Sequence, residues 1–285
     1  MKQLPWRPLL CICLMSMTTD LATASNTIVP LPDWQVLEYE QQAFWVTARS
    51  RVELAAMEEA PDNSAEPQWQ LRATSSVASN AEEVTVRLAA SNGRALQRSR
   101  FSEGKGKRYK SYDFLTEHLV RERRDPPAKT TLPPAEWPLS SSKKIAYPEG
   151  AGEAVITDAY ALLELAGRFL TSTEQSAEVV VSTDINFYRV HMTHSDGATI
   201  KVDYRLGAEQ KVVSGKIATR AVKLQVSPLG TEQGKPDFSL LGLHGEITLL
   251  FDLNTALPLQ LRGTAPRLGD AQIELKAATL RAPPQ

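Results

Sequence analysis

The chain contains 285 residues, with 42% hydrophobic and 23% charged side chains and a formal net charge of -1. A chain of this length can bury a core of its own, and its even charge argues against a dedicated nucleic-acid-binding protein. Both cysteines, Cys11 and Cys13, lie near the N-terminus, so the remainder of the chain depends on packing and not on disulfides for its stability.

Residues 1–24 have the pattern of a secretory signal peptide. A positively charged stretch precedes a short apolar run at 9–17, and Ala22 and Ala24 are the small residues that a signal peptidase requires. We expect cleavage after Ala24, which leaves residues 25–285 as a single β-rich domain in the periplasm of a bacterial envelope. No later apolar run approaches the length of a membrane span, so an integral membrane protein is not expected.

Alternation of apolar and polar residues dominates the rest of the chain. Val84, Val86 and Leu88 alternate with polar neighbours, which is the period of a strand with one buried face. Many antiparallel strands with short connections predict a large sheet, a sandwich or a barrel. The other segments that we expect to form strands are residues 35–51, 69–76, 93–101, 105–113, 178–182, 187–193, 200–205, 211–226, 245–253, 257–262 and 272–280.

Aromatic residues are concentrated in the first third of the chain and shortly after it. If the sheet is curved, these rings line an apolar trough for an acyl chain; the alternative is that they fill the core between the sheet and a helix. The aromatic residues that we assign to the trough are Trp34, Trp45, Trp69 and Tyr112.

Residues 94–144 carry a local excess of positive charge, with thirteen basic and six acidic side chains. Such a surface attracts the phosphate or carboxylate groups of envelope lipids or glycans; the alternative is a solvated strand face with a charged loop. The basic residues that we assign to a ligand-binding rim are Arg98, Arg100, Lys107 and Arg108.

A proline-rich stretch and a single helix follow. Residues 125–152 contain six prolines and are expected to form an extended connector, which either separates two lobes or crosses the edge of one sheet. In residues 158–170, apolar side chains recur at helical spacing and Thr157 or Asp158 can cap the helix, so we expect one helix packed against the sheet. The sequence Ser195-Asp196-Gly197 then predicts a tight hairpin between two alternating segments.

The order of several short motifs resembles a family of exported bacterial envelope proteins that is known only as a domain of unknown function. The resemblance depends on Tyr112-Asp113-Phe114, the basic stretch Val120–Arg124, Leu132-Pro133, Asp158 before a leucine-rich helix, the Asp-Gly turn, Phe251-Asp252 and Leu257-Pro258-Leu259. It implies a strongly curved antiparallel sheet or half-barrel with one covering α-helix, similar to periplasmic lipoprotein carriers. It implies no catalytic residues.

No motif assigns a catalytic residue, a metal or a cofactor. The Gly-x-Ser-x-Gly pattern is absent, and Gly104-Lys105-Gly106-Lys107 lacks the ending and the following helix of a phosphate-binding loop, so we interpret it as a hairpin turn. His191 and His194 are close in sequence, but residues three apart in a strand point to opposite faces. We interpret them as surface residues of a hairpin and not as metal ligands.

The sequence therefore predicts a mainly β, non-enzymatic envelope protein that binds a lipid, a lipoprotein or an envelope polymer. A hydrolase acting on envelope glycan or peptide is the alternative, and a scaffold that docks another envelope protein through a strand edge is a third possibility. A deep apolar cavity would favour the first class, whereas converging carboxylates in a polar cleft would favour the hydrolase. The pattern does not define an oligomeric state.

Overall fold

The computed structural model describes residues 34–43, 46–58, 65–266 and 268–281. These residues form one α-helix, α1 (Leu162–Thr171), three short 3₁₀ helices (Pro134–Glu136, Glu149–Ala151 and Ala159–Ala161) and seventeen strands. The strands are β1 Trp34–Ala43, β2 Val46–Ala56, β3 Gln68–Val77, β4 Asn80–Ala89, β5 Ala95–Glu103, β6 Arg108–Phe114, β7 His118–Arg124, β8 Leu139–Ala146, β9 Ile156–Thr157, β10 Ser176–Ser182, β11 Phe187–Asp196, β12 Ile200–Leu206, β13 Lys211–Ile217, β14 Thr219–Pro228, β15 His244–Asp252, β16 Pro258–Ala265 and β17 Gly269–Leu280.

All seventeen strands belong to one hydrogen-bonded sheet. The strands pair in the order β8-β7-β6-β5-β4-β3-β2-β1-β17-β16-β15-β14-β11-β10-β9, and the β12–β13 hairpin joins the end of β17. The pairings are antiparallel except β9–β10 and β12–β17, which are parallel and short. This mainly β sheet confirms the predicted fold class.

The sheet is strongly curved, because strands that are far apart in its order contact each other. Arg98 on β5 donates hydrogen bonds to the carbonyl oxygens of Ser182 and Thr183 at the end of β10. The Thr157 hydroxyl on β9 donates to the Gly93 carbonyl in the β4–β5 turn, at 2.7 Å. One face of the sheet therefore surrounds an interior space, as in a half-barrel.

Helix α1 lies inside this curve and confirms the predicted covering helix. Its leucines Leu162 and Leu163 are fully buried, as the helical spacing of apolar residues predicted. The Asp158 carboxylate accepts a hydrogen bond from the Tyr160 amide and caps the preceding 3₁₀ turn. The guanidinium of Arg168 lies over the Trp69 ring, so the C-terminal half of the helix closes the interior where β3 begins.

Four local expectations differ from the structure. Residues 211–226 form not one strand but two, β13 and β14, which pair with different neighbours. Residues 35–51 form not one strand but the hairpin β1–β2. Asp196 and Gly197 do not make a tight hairpin: β11 pairs with β10 and β14, neither residue has the positive φ that a type I′ turn requires, and the Gly197 amide donates to Thr219. Within the expected connector 125–152, β8 pairs with β7 at the edge of the sheet.

None of the helices in the described part of the chain has the length and apolarity that a bilayer crossing requires. The expected signal peptide and its cleavage site after Ala24 lie outside the described residues.

Candidate functional site

A cavity of about 890 Å³ lies at the end of the curved sheet opposite to the part closed by α1. Its volume is within the range of small-molecule binding sites, and most of its lining is apolar. Seven parts of the chain form its wall: the β1–β2 and β3–β4 hairpins, β5, the residues just before α1, the turn between β10 and β11, the segment before β15 and the β16–β17 turn. The lining residues used below are Val46, Ala48, Ser75, Val77, Glu82, Arg98, Arg100, Asp158, Tyr160, Asp184, Asp237, Leu241 and Leu268.

The cavity mouth carries large apolar side chains that are exposed to solvent. Val46, Val77 and Leu268 have 40%, 42% and 38% of their surface accessible, although each belongs to a different hairpin or turn. Leu241 also lines the cavity and is buried. Apolar groups that converge around a cavity from separate elements are typical of a site for an apolar ligand.

The inner end of the cavity is charged, and Arg98 is its most buried cation. Arg98 is only 5% exposed, and its guanidinium donates to the Asp158 carboxylate at 2.9 Å and to the Ser182 carbonyl at 2.8 Å. It also lies 3.7 Å from the centre of the Tyr112 ring. These contacts join β5 to the end of β10 and to the residues before α1, so Arg98 stabilises the curvature of the sheet. Because it is buried, Arg98 is not the exposed cation of a ligand-binding rim that the sequence predicted.

Arg100 is the accessible cation of the cavity. Its side chain is 41% exposed and pairs with Glu82 on β4 at 2.5 Å. Tyr160 lies close enough to this pair for electrostatic interaction, and burial, reinforced by the charge of Glu82, raises the pKa of its phenol. Tyr160 therefore stays neutral and can donate or accept a hydrogen bond at the inner end.

Asp184, in the β10–β11 turn, is bound by four donors from β6 and β7. Its carboxylate accepts from Lys110 Nζ at 2.6 Å, from Tyr112 Oη at 2.7 Å, and from Arg121 Nε and Nη2 at 2.6 and 3.2 Å. Burial alone would raise the pKa of Asp184, but the hydrogen bonds from Arg121, Lys110 and Tyr112 hold it well below its usual range. Asp184 lines the cavity, whereas Lys110 and Arg121 do not.

Asp237 holds the same turn from the other side. Its carboxylate accepts from the Thr183 hydroxyl at 2.7 Å, from the Asn186 amide at 2.9 Å and from the Tyr188 hydroxyl at 3.1 Å. Asp237 belongs to residues 229–243, a non-regular segment between β14 and β15 that also supplies Leu241 to the cavity. The sequence alone does not reveal this contact, because Asp237 is more than fifty positions from the turn that it binds.

The structure separates the eight residues that the sequence assigned to a binding site. Arg98 and Arg100 reach the cavity, whereas Lys107 and Arg108 lie at the β5–β6 turn, where Lys107 pairs with Glu103 and Arg108 lies 3.9 Å from Asp125. Three of the aromatic residues assigned to the trough are instead buried in the core: Trp34, Trp69 and Tyr112. Trp45 lies outside the described residues.

The two histidines that are close in sequence do not converge. His194 contacts the Phe169 ring and lies 3.1 Å from an Arg220 nitrogen, while its neighbour His191 projects from the other face of β11. Within residues 34–43, 46–58, 65–266 and 268–281, no three His, Cys, Asp or Glu side chains are grouped so that they could hold a metal ion.

Comparison with known proteins gave no match: no protein-family model, no curated protein and no solved structure matches the chain.

Proposed function

We propose that this protein is a non-enzymatic binding protein of the bacterial envelope whose cavity accommodates the apolar part of an amphiphile, such as the acyl chain of a lipid or a lipoprotein. The single observation that supports this most is the mostly apolar cavity of about 890 Å³, surrounded at its mouth by exposed Val46, Val77 and Leu268. Three aliphatic side chains that converge on one opening from separate elements form an apolar surface that a ligand can cover. The periplasmic location is part of the proposal and depends on the signal-peptide pattern of residues 1–24.

The carboxylates around the cavity support binding over hydrolysis. Of the four carboxylates that line the cavity, three are engaged by cations: Asp158 by Arg98, Glu82 by Arg100 at 2.5 Å, and Asp184 by Lys110 and Arg121. The fourth, Asp237, accepts hydrogen bonds from neutral donors of the β10–β11 turn and of β11. A glycoside hydrolase instead requires two carboxyl groups that are free to act on the substrate, one as a general acid with a raised pKa and the other as a nucleophile or as the base that activates water. The amphiphile therefore agrees better with the cavity than a glycan substrate does.

The proposal is tested by filling the cavity without altering the sheet. Ala48 on β2 lines the cavity, and the adjacent Thr47 points to the outer face of the same strand. We expect Ala48→Trp to weaken binding of a fluorescent medium-chain fatty acid methyl ester at least about tenfold, which corresponds to 1.4 kcal/mol of binding free energy. Thr47→Trp adds the same ring outside and should bind like the parent.

Thermal melting of both variants shows whether the sheet is intact. Equal binding by the parent, Ala48→Trp and Thr47→Trp would contradict the proposal, as would the absence of any ester binding by the parent.

A further inference from the structure

The concave face of β5, β6 and β7 carries a cluster of cations beside the cavity. Strand register places Arg98, Tyr112 and Arg121 side by side in one row, and Arg100, Lys110 and Arg123 in the next. Directly paired residues point to the same face of a sheet, so these cations share the inner face. Burial lowers the pKa of Lys110, and the nearby charges of Arg121 and Arg100 lower it further, against the opposing effect of Asp184.

Within this cluster, Lys110, Tyr112 and Arg121 form a complete binding site for a carboxylate or phosphate group. Arg121 offers two nitrogens to the two oxygens of one carboxylate, which is the geometry of planar anion recognition, and Lys110 and Tyr112 supply two further donors. The group that occupies the site is Asp184, which belongs to a turn and lies between these donors and the cavity. Rotation of that one side chain would vacate the site without breaking any strand pairing.

We propose that Lys110, Tyr112 and Arg121 bind the anionic headgroup of the amphiphile, and that Asp184 is an internal carboxylate that the headgroup displaces. This inference builds on the proposed function and adds the chemical class of the ligand: an apolar chain with a carboxylate or phosphate head. The cavity holds the chain, and the β6–β7 donors hold the head. Binding of an anionic amphiphile is therefore opposed in the parent protein by the carboxylate already present.

The test compares a fluorescent medium-chain fatty acid with its methyl ester, which differ only in the charged head. Asp184→Ala vacates the site, so we expect the acid to bind at least about tenfold more tightly than to the parent, with ester binding unchanged. The gain should shrink as salt is raised, because screening weakens the attraction of the freed cations. Asp184→Asn, which keeps a polar side chain in the turn, should give a smaller gain in the same direction.

Asn186→Ala is the matched control, because it loosens the same turn from the other side, but Asn186 is neutral and does not line the cavity, so the change removes no charge there and frees no cation. It should leave the ratio of acid to ester affinity at the parent value. Adding Arg121→Gln to Asp184→Ala should abolish the gain. The inference is overturned if Asp184→Ala changes acid and ester binding equally, or if Asn186→Ala reproduces its effect.

A second measurement needs no ligand in the cavity. Inorganic phosphate should raise the melting temperature of Asp184→Ala more than that of the parent, and the added Arg121→Gln should remove the difference. If the ester does not bind the parent but phosphate stabilises Asp184→Ala, the proposed function fails and the anion site remains. If the ester binds but phosphate has no selective effect and the acid gains nothing, the anion site fails and the apolar cavity remains.

Discussion

Replacing Arg98 with methionine would remove a buried charged group that joins β5 to the end of β10. The side chain is 5% exposed, and its loss leaves the Asp158 carboxylate without its cation and the Ser182 carbonyl without this donor. Removing one partner of a buried ion pair typically destabilises a protein by about 3–5 kcal/mol, because the remaining charge stays buried. We expect a loss of that size, a large share of the stability of a typical domain.

Urea titration at constant temperature measures this loss as a lower unfolding midpoint. Arg100→Met is the matched control: it lies two positions along the same strand and face, but its side chain is 41% exposed and pairs with Glu82 near solvent. Exposed pairs contribute at most about 1 kcal/mol, so this variant should remain close to the parent. The double variant Arg98→Met with Asp158→Asn should recover part of the loss. Equal losses in the two single variants would refute the assignment of Arg98 as a buried structural contact.

Two further predictions concern the helix. Burial raises the pKa of Glu164 to about 7, against the opposing effect of Arg168, so the folded protein keeps this proton at a pH where the unfolded chain has lost it. The free energy of unfolding should therefore fall by about 3 kcal/mol as pH rises from about 4.5 to about 7. Urea titrations of Glu164→Gln should lack this fall. If the parent and Glu164→Gln give parallel pH profiles, the burial of a protonated Glu164 is contradicted. Gly93→Ala forces a non-glycine residue to φ +75° and places its Cβ 2.7 Å from a Leu165 methyl group, so a loss of about 2 kcal/mol is expected. Gly207→Ala has the same φ in open space and should lose about 1 kcal/mol, and equal losses would show that the helix does not pack on that turn.

Periodicity was a reliable guide where several consecutive inward positions of an element are apolar. The alternation of Val84, Val86 and Leu88 predicted a strand with an inner face, and all three are buried in the structure. The leucine-rich helix was equally clear, because its buried stripe has to recur at helical spacing. By contrast, β8 is an edge strand with polar residues on both faces, so no alternation marks it within the connector.

The candidate site was harder to predict, because it depends on contacts between distant parts of the chain. Arg98 and Arg100 look alike in sequence and both reach the cavity, yet one side chain is buried and the other is 41% exposed, a difference set by where β10 ends. Asp184 had no distinguishing neighbour in sequence, since its donors Lys110 and Arg121 are more than sixty positions away. Two of the cations in the positively charged residues 94–144, Lys110 and Arg121, contact the Asp184 carboxylate, whereas binding of an external anion by this segment stays a prediction.

Native mass spectrometry of the protein isolated from its own cells without detergent tests most directly whether the cavity carries an amphiphile. We expect the parent and Thr47→Trp to show an added mass that collisional activation releases as a lipid or a fatty acid. Ala48→Trp should be recovered at its bare mass, because the indole occupies the cavity that Ala48 lines. A bare mass for all three proteins, or equal retention by Ala48→Trp and Thr47→Trp, would contradict the assignment of this cavity as the ligand site.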